Sequence, residues 1–161
     1  ISIFLVLLEI LVMSLKQRIT DDMKAAMRSG DVKQRDTVRL LQAAIKQREV
    51  DERIVLDDTA VIAVIEKMLK QRKDSIAQYE AAQRMDLAER EKDEVLILNA
   101  YMPQALSDAE IGVLISEAVL ASSAKNMQDM GKVMAILKPK LAGRADMTQV
   151  SALIKAKLSN G

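Results

Sequence analysis

Residues 106–123 read LSDAEIGVLISEAVLASS, and this stretch contains the clearest helix start in the chain. Ser107 and Glu110 have the spacing of a capping box, in which the two residues satisfy each other's backbone N–H groups. Leu106 and Ile111 occupy the two positions of a hydrophobic staple. The apolar residues then follow at helical spacing: Ile111, Leu114, Ile115, Ala118 and Val119. The segment therefore predicts an amphipathic helix with one buried face.

Similar signals recur on both sides of this segment. Apolar stripes predict N-terminal helices at about 14–29, 32–53, 59–82 and 87–101, and no Gly or Pro separates the last two. After residue 123, Pro139 is expected to end or kink one helix and Asp146 to cap the last. Five Gly and two Pro are too few for a strand-and-turn fold. We predict an all-α protein with an N-terminal bundle of three to four helices and a three-helix C-terminal domain.

The domain boundary is predicted at residues 102–105, MPQA, which gives domains 13–103 and 104–161. Residues 1–12, ISIFLVLLEILV, are apolar but too short to cross a bilayer, which takes about 20 residues. They lack the basic start of a secretory signal, and Met13 resembles an ordinary cytosolic start. We interpret 1–12 as a non-native leader; the alternative is a native apolar helix start that packs onto the bundle.

The composition excludes several kinds of catalytic site. The 161 residues include no His, no Cys and no Trp, which excludes thiol nucleophiles, Ser-His pairs, Cys/His zinc sites and disulfides. No glycine-rich phosphate loop or nucleophile elbow is present. Asp21-Asp22 and Asp57-Asp58 are adjacent carboxylates, which diverge on a helix and are better explained as helix caps. We predict no catalytic residue, no metal site and no cofactor.

The charge is distributed unevenly along the chain. Residues 13–103 carry 17 basic and 17 acidic side chains, and 104–124 carry three acids and no base. The last 37 residues have a net charge of +5, with Asp129 and Asp146 as their only acids. The candidate RNA-binding residues are Lys125, Lys132, Lys138, Lys140, Arg144, Lys155 and Lys157. Such a basic element is typical of a phosphate-contacting surface, although C-terminal lysines also favour solubility and the helix dipole.

Two features refine the predicted contact. Residues 125–161 contain no aromatic residue, so any bound RNA is expected to be contacted through its backbone and shape rather than by base stacking. Gly131 lies inside a helix pattern, where it costs about 1 kcal/mol relative to Ala. It would allow close approach by a neighbouring helix or by an RNA backbone. Gly143 and Arg144 lie in a turn before the last helix, which suits an anion site or a plain turn.

Several segments resemble, in order, the YqeY family. They are 15–19 (LKQRI), 22–27 (DMKAAM), 39–46 (RLLQAAIK), 101–107 (YMPQALS), 127–134 (MQDMGKVM) and 137–146 (LKPKLAGRAD). The resemblance covers 13–161 and excludes 1–12. Family members commonly have Gly where this chain has Ala135 and Met147, which puts a very close backbone approach there in doubt. Lys132, Lys138, Lys140 and Arg144 stand at matching positions.

The resemblance implies a small bacterial-type cytosolic protein. Its C-terminal domain is similar to the tail of GatB, one of the subunits of the glutamyl-tRNA(Gln)/aspartyl-tRNA(Asn) amidotransferase. In that enzyme the tail contacts tRNA, and the kinase-like catalytic body lies elsewhere. The family label of carbon–nitrogen ligase with glutamine as amido donor looks inherited from the whole amidotransferase, because the catalytic parts are absent from this chain.

Three functions follow as hypotheses. The first is a non-catalytic tRNA-binding accessory module, associated with the amidotransferase or another tRNA-handling protein. The second is a helical protein-interaction adaptor, in which Met23, Met27 and Met68 form an adaptable surface, although buried core is the commoner use of such stripes. The third is carbon–nitrogen ligase activity of the chain itself. We expect a cytoplasmic protein without metal, cofactor or membrane association.

Overall fold

The computed structural model describes residues 3–5 and 13–160. The described residues contain no strand, and the all-α prediction is confirmed. The helices are α1 Leu15–Ser29, α2 Val32–Glu52, α3 Asp58–Ala81, α4 Met85–Asn99, α5 Asp108–Ser122, α6 Met130–Leu141 and α7 Met147–Ser159, with a 3₁₀ turn at Met127–Asp129. The chain divides into two compact units, Ile1–Met102 and Pro103–Gly161. Apart from the helical residues 3–5, the leader predicted at 1–12 lies outside the described residues.

Polar side chains define the starts of most helices. The N-cap side chains of Ser14, Asp31, Asp57, Ser107 and Asp146 each accept a hydrogen bond from a backbone N–H in the first turn of their helix. Such a bond satisfies one of the N–H groups that a helix start leaves without a partner. Gly30 ends α1 with φ 73° and donates its N–H to the carbonyl of Ala26, which is the usual role of a C-cap glycine.

The helices α3 and α4 are separate, and a left-handed residue makes the break. Gln83 has φ 58°, a conformation that costs strain for a residue other than Gly. The Arg84 side chain makes no capping bond at the start of α4 and pairs instead with Asp86 at 3.1 Å. Asp86, the only cap-like residue in the sequence here, is therefore not the N-cap. The sequence has no Gly or Pro at this point, so residue types alone did not indicate the turn.

The N-terminal unit is built around one apolar core. Its most deeply buried large side chains are Ile19, Val38, Leu41, Val61, Ile65 and Leu98. Ion pairs connect neighbouring helices at the edge of this core. Arg72 of α3 pairs with Glu94 of α4 at 3.0 Å, and Lys16 of α1 pairs with Glu49 of α2 at 2.7 Å. Of the three methionines suggested as an adaptable surface, Met23 and Met68 are buried in the core and Met27 is exposed. The three therefore do not form one surface.

Tyr101 connects the end of α4 to α1. Its ring is buried, and its hydroxyl donates a hydrogen bond of 2.6 Å to the Asp22 carboxylate. The Arg18 guanidinium lies over the ring, 4.9 Å from its centroid, and donates to the Ala100 carbonyl at 2.9 Å. Hydrogen bonds to charged acceptors are stronger than neutral ones, and a cation over an aromatic face adds attraction. The three side chains therefore hold residues 100–101 against α1.

Replacing Tyr101 by phenylalanine is expected to destabilise the N-terminal unit by about 1–2 kcal/mol, because a partly exposed carboxylate loses a charge-assisted hydrogen bond. Urea unfolding followed by circular dichroism measures the change. Tyr79→Phe is the matched control, since Tyr79 is half-buried and makes no comparable bond to a carboxylate among the described residues. Equal effects of the two substitutions would contradict this role for Tyr101.

The same residue makes stability sensitive to alkaline pH. Burial, and next the hydrogen bond to Asp22, raise the pKa of the Tyr101 hydroxyl. The folded protein therefore favours the neutral phenol. The buried, hydrogen-bonded phenol of Tyr101 stabilises the fold fully below the pKa of about 10 that a tyrosine has in the unfolded chain. This stabilisation is lost as the pH rises above that value. The stability gap between wild type and Tyr101→Phe is expected to narrow above that pH.

The C-terminal unit packs its three helices around a smaller core. Its buried side chains come from all three helices: Ile111 and Ile115 from α5, Val133, Leu137 and Leu141 from α6, and Val150, Ile154 and Leu158 from α7. At the start of α5 the Ser107 hydroxyl accepts from the Glu110 N–H at 3.2 Å. The Glu110 carboxylate accepts from that hydroxyl at 3.1 Å rather than from a backbone N–H, so half of the expected capping box forms.

Pro139 does not end α6 where the sequence predicts it. The helix continues through Pro139 to Leu141, whose side chain is fully buried. A proline inside a helix removes one backbone hydrogen bond, and here the burial of Leu141 offsets that loss. The Arg144 N–H then donates to the Leu141 carbonyl at 2.9 Å and closes the last turn. The sequence predicts that Pro139 ends or kinks this helix, and the helix does not end there.

Candidate nucleic-acid interface

The outward face of α6 is open and carries positive charge. Its core-facing residues Val133 and Leu137 are fully buried, so the helix has one defined solvent face. Gly131, Lys132, Ala135 and Lys138 are exposed; Gly131, Ala135 and Lys138 follow one another at helical spacing on one stripe. A Cβ atom built on Gly131 would meet no neighbouring group within 4 Å. Within the described chain, then, no close helix contact accounts for this glycine.

At the start of α6 an acid restrains two of the predicted cationic residues. The Asp129 carboxylate accepts the backbone N–H of Lys125 at 2.9 Å and pairs with the Lys132 ammonium at 3.6 Å. The bond from the Lys125 N–H, and next the charge of Lys132, lower the pKa of Asp129. Asp129 is thus ionised at neutral pH and partly compensates Lys132. The Lys125 side chain is exposed and makes no ion pair with another described residue.

The end of α6 carries two exposed lysines followed by a structural arginine. Lys138 and Lys140 lie in the last turn, where positive charge is favourable for the helix dipole, and neither has an ion-pair partner among the described residues. Gly143 then adopts φ 69° in the turn. The Arg144 guanidinium donates to the Gln104 carbonyl at 3.0 Å, and its own carbonyl accepts from Leu106 at 2.9 Å.

On α7 the two predicted lysines differ in their surroundings. The Lys157 ammonium donates to the Ser116 hydroxyl of α5 at 2.5 Å, which places it on the side of α7 that faces α5. Lys155 is exposed and makes no ion pair within the part of the chain that the structure describes. Lys157 therefore has a contact within its own unit, whereas Lys155 is available to an external anion.

The seven predicted residues do not converge on one pocket. Lys125 and Lys132 lie at the start of α6, and Lys138, Lys140 and Arg144 lie at its end. Twelve helical residues span roughly 18 Å, so the two groups are separated by several phosphate spacings. Arg144 and Lys157 are already engaged with neighbours, a fact that no sequence pattern indicates. The surface offers dispersed ammonium groups, which suit an extended polyanion better than a small anionic ligand.

One surface of the same unit is missing from the sequence prediction. A groove of about 700 Å³ runs between α5 and α7, and exposed apolar side chains line it. The sequence does contain an indication of this surface: Val113 and Leu120 are apolar although they lie outside the predicted core stripe of α5. Within residues 3–5 and 13–160, no cluster of three or more acidic side chains is arranged to hold a metal ion. Among the described helices, none combines the length and apolar character needed to cross a bilayer.

Comparison with known proteins gives one family. A family model described as "Yqey-like protein" matches residues 16–158. The chain is 30% identical to the "Altered inheritance of mitochondria protein 41, mitochondrial" of Pyrenophora tritici-repentis over 141 residues, which cover 86% of this chain and 77% of that protein. It is 38% identical to the protein of the same name from Lachancea thermotolerans over 98 residues, covering 59% of this chain and 52% of that protein.

The relatives are longer than the matched segments. The chain spans about half the length of the Lachancea thermotolerans protein and of its counterpart in Candida glabrata, with which it shares 34% identity over 92 residues, covering 55% of this chain and 50% of that protein. These relatives are named as mitochondrial proteins. The prediction of a cytoplasmic location is therefore wrong. It rested on the interpretation of Met13 as a cytosolic start and on the bacterial type of the resemblance, neither of which is a physical property of the fold.

Proposed function

Because the chain belongs to the YqeY family, we propose that its C-terminal unit is a non-catalytic tRNA-binding module that contacts the RNA backbone. The observation that carries this proposal is the solvent face of α6. There an open glycine and the exposed Lys132 lie at the start of the helix, and the exposed Lys138 and Lys140 lie at its end. A gap in the side-chain surface flanked by positive charge suits a sugar-phosphate backbone.

The type of contact follows from the residues that are available. Lysine binds phosphate oxygens as a point charge, and residues 125–161 offer no aromatic side chain on which a base could stack. The proposed ligand is therefore a structured RNA recognised by its shape, such as tRNA, rather than an unpaired sequence. The proposed protein partner is a tRNA amidotransferase or another tRNA-handling enzyme, to which this module would present the RNA.

Fluorescence anisotropy with labelled tRNA, at salt concentrations from about 50 to about 200 mM, tests the proposal. About four phosphate contacts would give a slope near −3 in a plot of log affinity against log salt, and an affinity loss of roughly 100-fold over this range. Both bacterial and mitochondrial tRNA are suitable probes, because the curated relatives are named as mitochondrial. A chain that does not bind tRNA at the lowest salt, or binds it without salt dependence, would contradict the proposal.

Gly131→Gln separates RNA contact from folding. The Cβ position is open, so the longer side chain meets no clash within the described chain, and the helix gains up to about 1 kcal/mol from the better propensity. The added side chain fills the gap beside the lysines, and tRNA affinity is expected to fall about tenfold, or about 1.4 kcal/mol. The measurements are thermal unfolding and anisotropy.

Gly112→Gln is the matched control, because Gly112 is also a helical glycine with open space at its Cβ position, but on α5. At protein concentrations at which the chain is monomeric, it is expected to gain stability and to keep its tRNA affinity. A loss of affinity that is equal in both variants would show that the α6 face is not the contact.

A further inference from the structure

The helix α5 is apolar on two faces, and its own unit covers only one of them. Ile111, Ile115 and Ala118 are buried in the core. On the opposite face Val113 is 57% exposed and Leu120 is 80% exposed. Across the groove, Leu153 of α7 is 40% exposed. A surface helix normally places polar residues on its solvent face, so this second apolar face indicates a surface that another protein covers.

The same face alternates large and small side chains along α5. Its small residues are Ala109, Gly112 and Ser116. A Cβ built on Gly112 would meet no neighbouring group within 4 Å, so no contact within the described chain requires a glycine at this position. In a helix interior such a glycine lowers the helix propensity, which is tolerated where another backbone must come close.

We propose that this groove binds α5 of a second copy of the chain, with the two α5 helices antiparallel. If Val113 of one copy faces Ser116 of the other, the twofold operation places Leu120 opposite Ala109, beside the gap at Gly112. Each large side chain then meets a small one. A self-complementary patch of this kind is what a twofold dimer requires.

The charges favour this orientation. All three acids of 104–124 lie on α5, and Asp108 and Glu110 stand in its first turn. A parallel pair would bring the first-turn carboxylates Asp108 and Glu110 of the two copies together, whereas an antiparallel pair places them at opposite ends and opposes the helix dipoles. Glu117 of one copy then lies about one helical turn from Asp108 of the other as well. The Lys157 ammonium, held at Ser116, lies within about one helical turn of the position that Glu117 of the second copy would occupy. A lysine on one copy thus faces an acid on the other.

The groove is a poor phosphate-binding surface, which distinguishes this proposal from the RNA contact on α6. The carboxylates of Asp108 and Glu117 border the groove together with Lys157, and they would repel a polyanion. Self-association through α5 therefore leaves the α6 face available. A dimer would present two α6 faces on one particle. Dimerisation would therefore increase the avidity for RNA without adding a new contact.

Sedimentation velocity across a range of protein concentrations is the first test. Wild type is expected to move from a particle of 17.8 kDa towards one of twice that mass as concentration rises. Leu120→Glu is expected to remain monomeric at all concentrations, because it places a charge in the apolar contact. The substitution leaves the fold intact, since the side chain is 80% exposed, and circular dichroism checks this.

Leu96→Glu is the control, because Leu96 is 71% exposed on α4 and lies outside the groove. It is expected to associate like wild type. A wild type that stays monomeric at all concentrations would overturn the proposal, and so would an equal effect of the two glutamate variants.

Disulfide cross-linking tests the register. The chain has no cysteine, so any disulfide comes from the introduced residues alone. Chains carrying Val113→Cys and chains carrying Ser116→Cys, mixed and oxidised, are expected to form the mixed dimer faster than either forms with itself. A pair at Leu96→Cys is the negative control. Equal yields for mixed and identical pairs would overturn the antiparallel register.

Discussion

Leu137→Ala is expected to unfold the C-terminal unit while α1–α4 keep their helical structure. Leu137 is fully buried among residues of α5, α6 and α7. Its truncation removes apolar contacts and leaves a cavity, which in well-packed cores costs about 2–5 kcal/mol. A unit that spans only Pro103–Gly161 has a small core and a correspondingly small free energy of unfolding. The loss is therefore comparable to the whole stability of the unit.

Hydrogen exchange followed residue by residue measures this effect best, because it reports each helix separately. Amides of α5–α7 are expected to lose protection, and those of α1–α4 to keep it. Leu120→Ala is the control within the same unit, compared at a concentration at which wild type is monomeric: it removes the same atoms from a side chain that is 80% exposed, and its effect should stay within about 0.5 kcal/mol. A native pattern of protection in α5–α7 of Leu137→Ala would contradict the account of this core.

The second large effect is expected on RNA binding. Replacing Lys132, Lys138 and Lys140 together by glutamine should lower tRNA affinity roughly 100-fold at about 100 mM salt. The salt slope should become shallower by about 2 to 3, because each lost phosphate contact removes nearly one unit. Glutamine is uncharged and has a helix propensity close to that of lysine, so the fold is expected to be preserved. Arg144 is left in place, since its guanidinium holds the Gln104 carbonyl.

The matched control replaces three exposed lysines of the N-terminal unit, Lys24, Lys67 and Lys70. This variant has the same change in net charge, so it accounts for nonspecific attraction of RNA by the whole molecule. Its affinity for tRNA is expected to fall much less, with little change of slope. If both triple variants lost affinity equally, RNA binding would follow overall charge and the α6 face would have no particular role.

Local signals in the sequence predicted the helices well. Ser107 and Asp146 act as N-caps as predicted, because a short polar side chain before an apolar stripe has few other ways to satisfy the first backbone N–H groups. Each of these predictions depends on residues within one or two turns of each other.

The sequence left the local structure open where a distant contact decided it. Gln83 takes a left-handed conformation although nothing in its own side chain favours it. There the ion pair between Lys92 and Glu80 at 2.9 Å, and the pair between Arg72 and Glu94, bring α3 and α4 together. Pro139 stays inside α6 because Leu141 is buried beyond it. Tertiary packing overrides propensity in both cases.

The candidate site was predictable in its composition but not in its arrangement. Counting charges along the chain found the basic tail, and residue types alone indicated phosphate as its ligand. The distribution of those cations over three regions depends on how α6 and α7 pack. The hydrogen bond from Arg144 to the Gln104 carbonyl could not be predicted, because every residue has a backbone carbonyl and the sequence does not show which one an arginine will contact. The apolar outer face of α5 could have been found by examining both sides of that helix.

Two short links shape the order in which the N-terminal unit assembles. Residues 30–31 join α1 to α2, and 82–84 join α3 to α4. Closing so short a loop loses little chain entropy, so each helical hairpin forms from contacts that are near in sequence. Proteins dominated by such contacts fold in microseconds to milliseconds. We therefore expect each hairpin to form soon after its second helix leaves the ribosome, which would shorten the time for which its apolar face is exposed to aggregation.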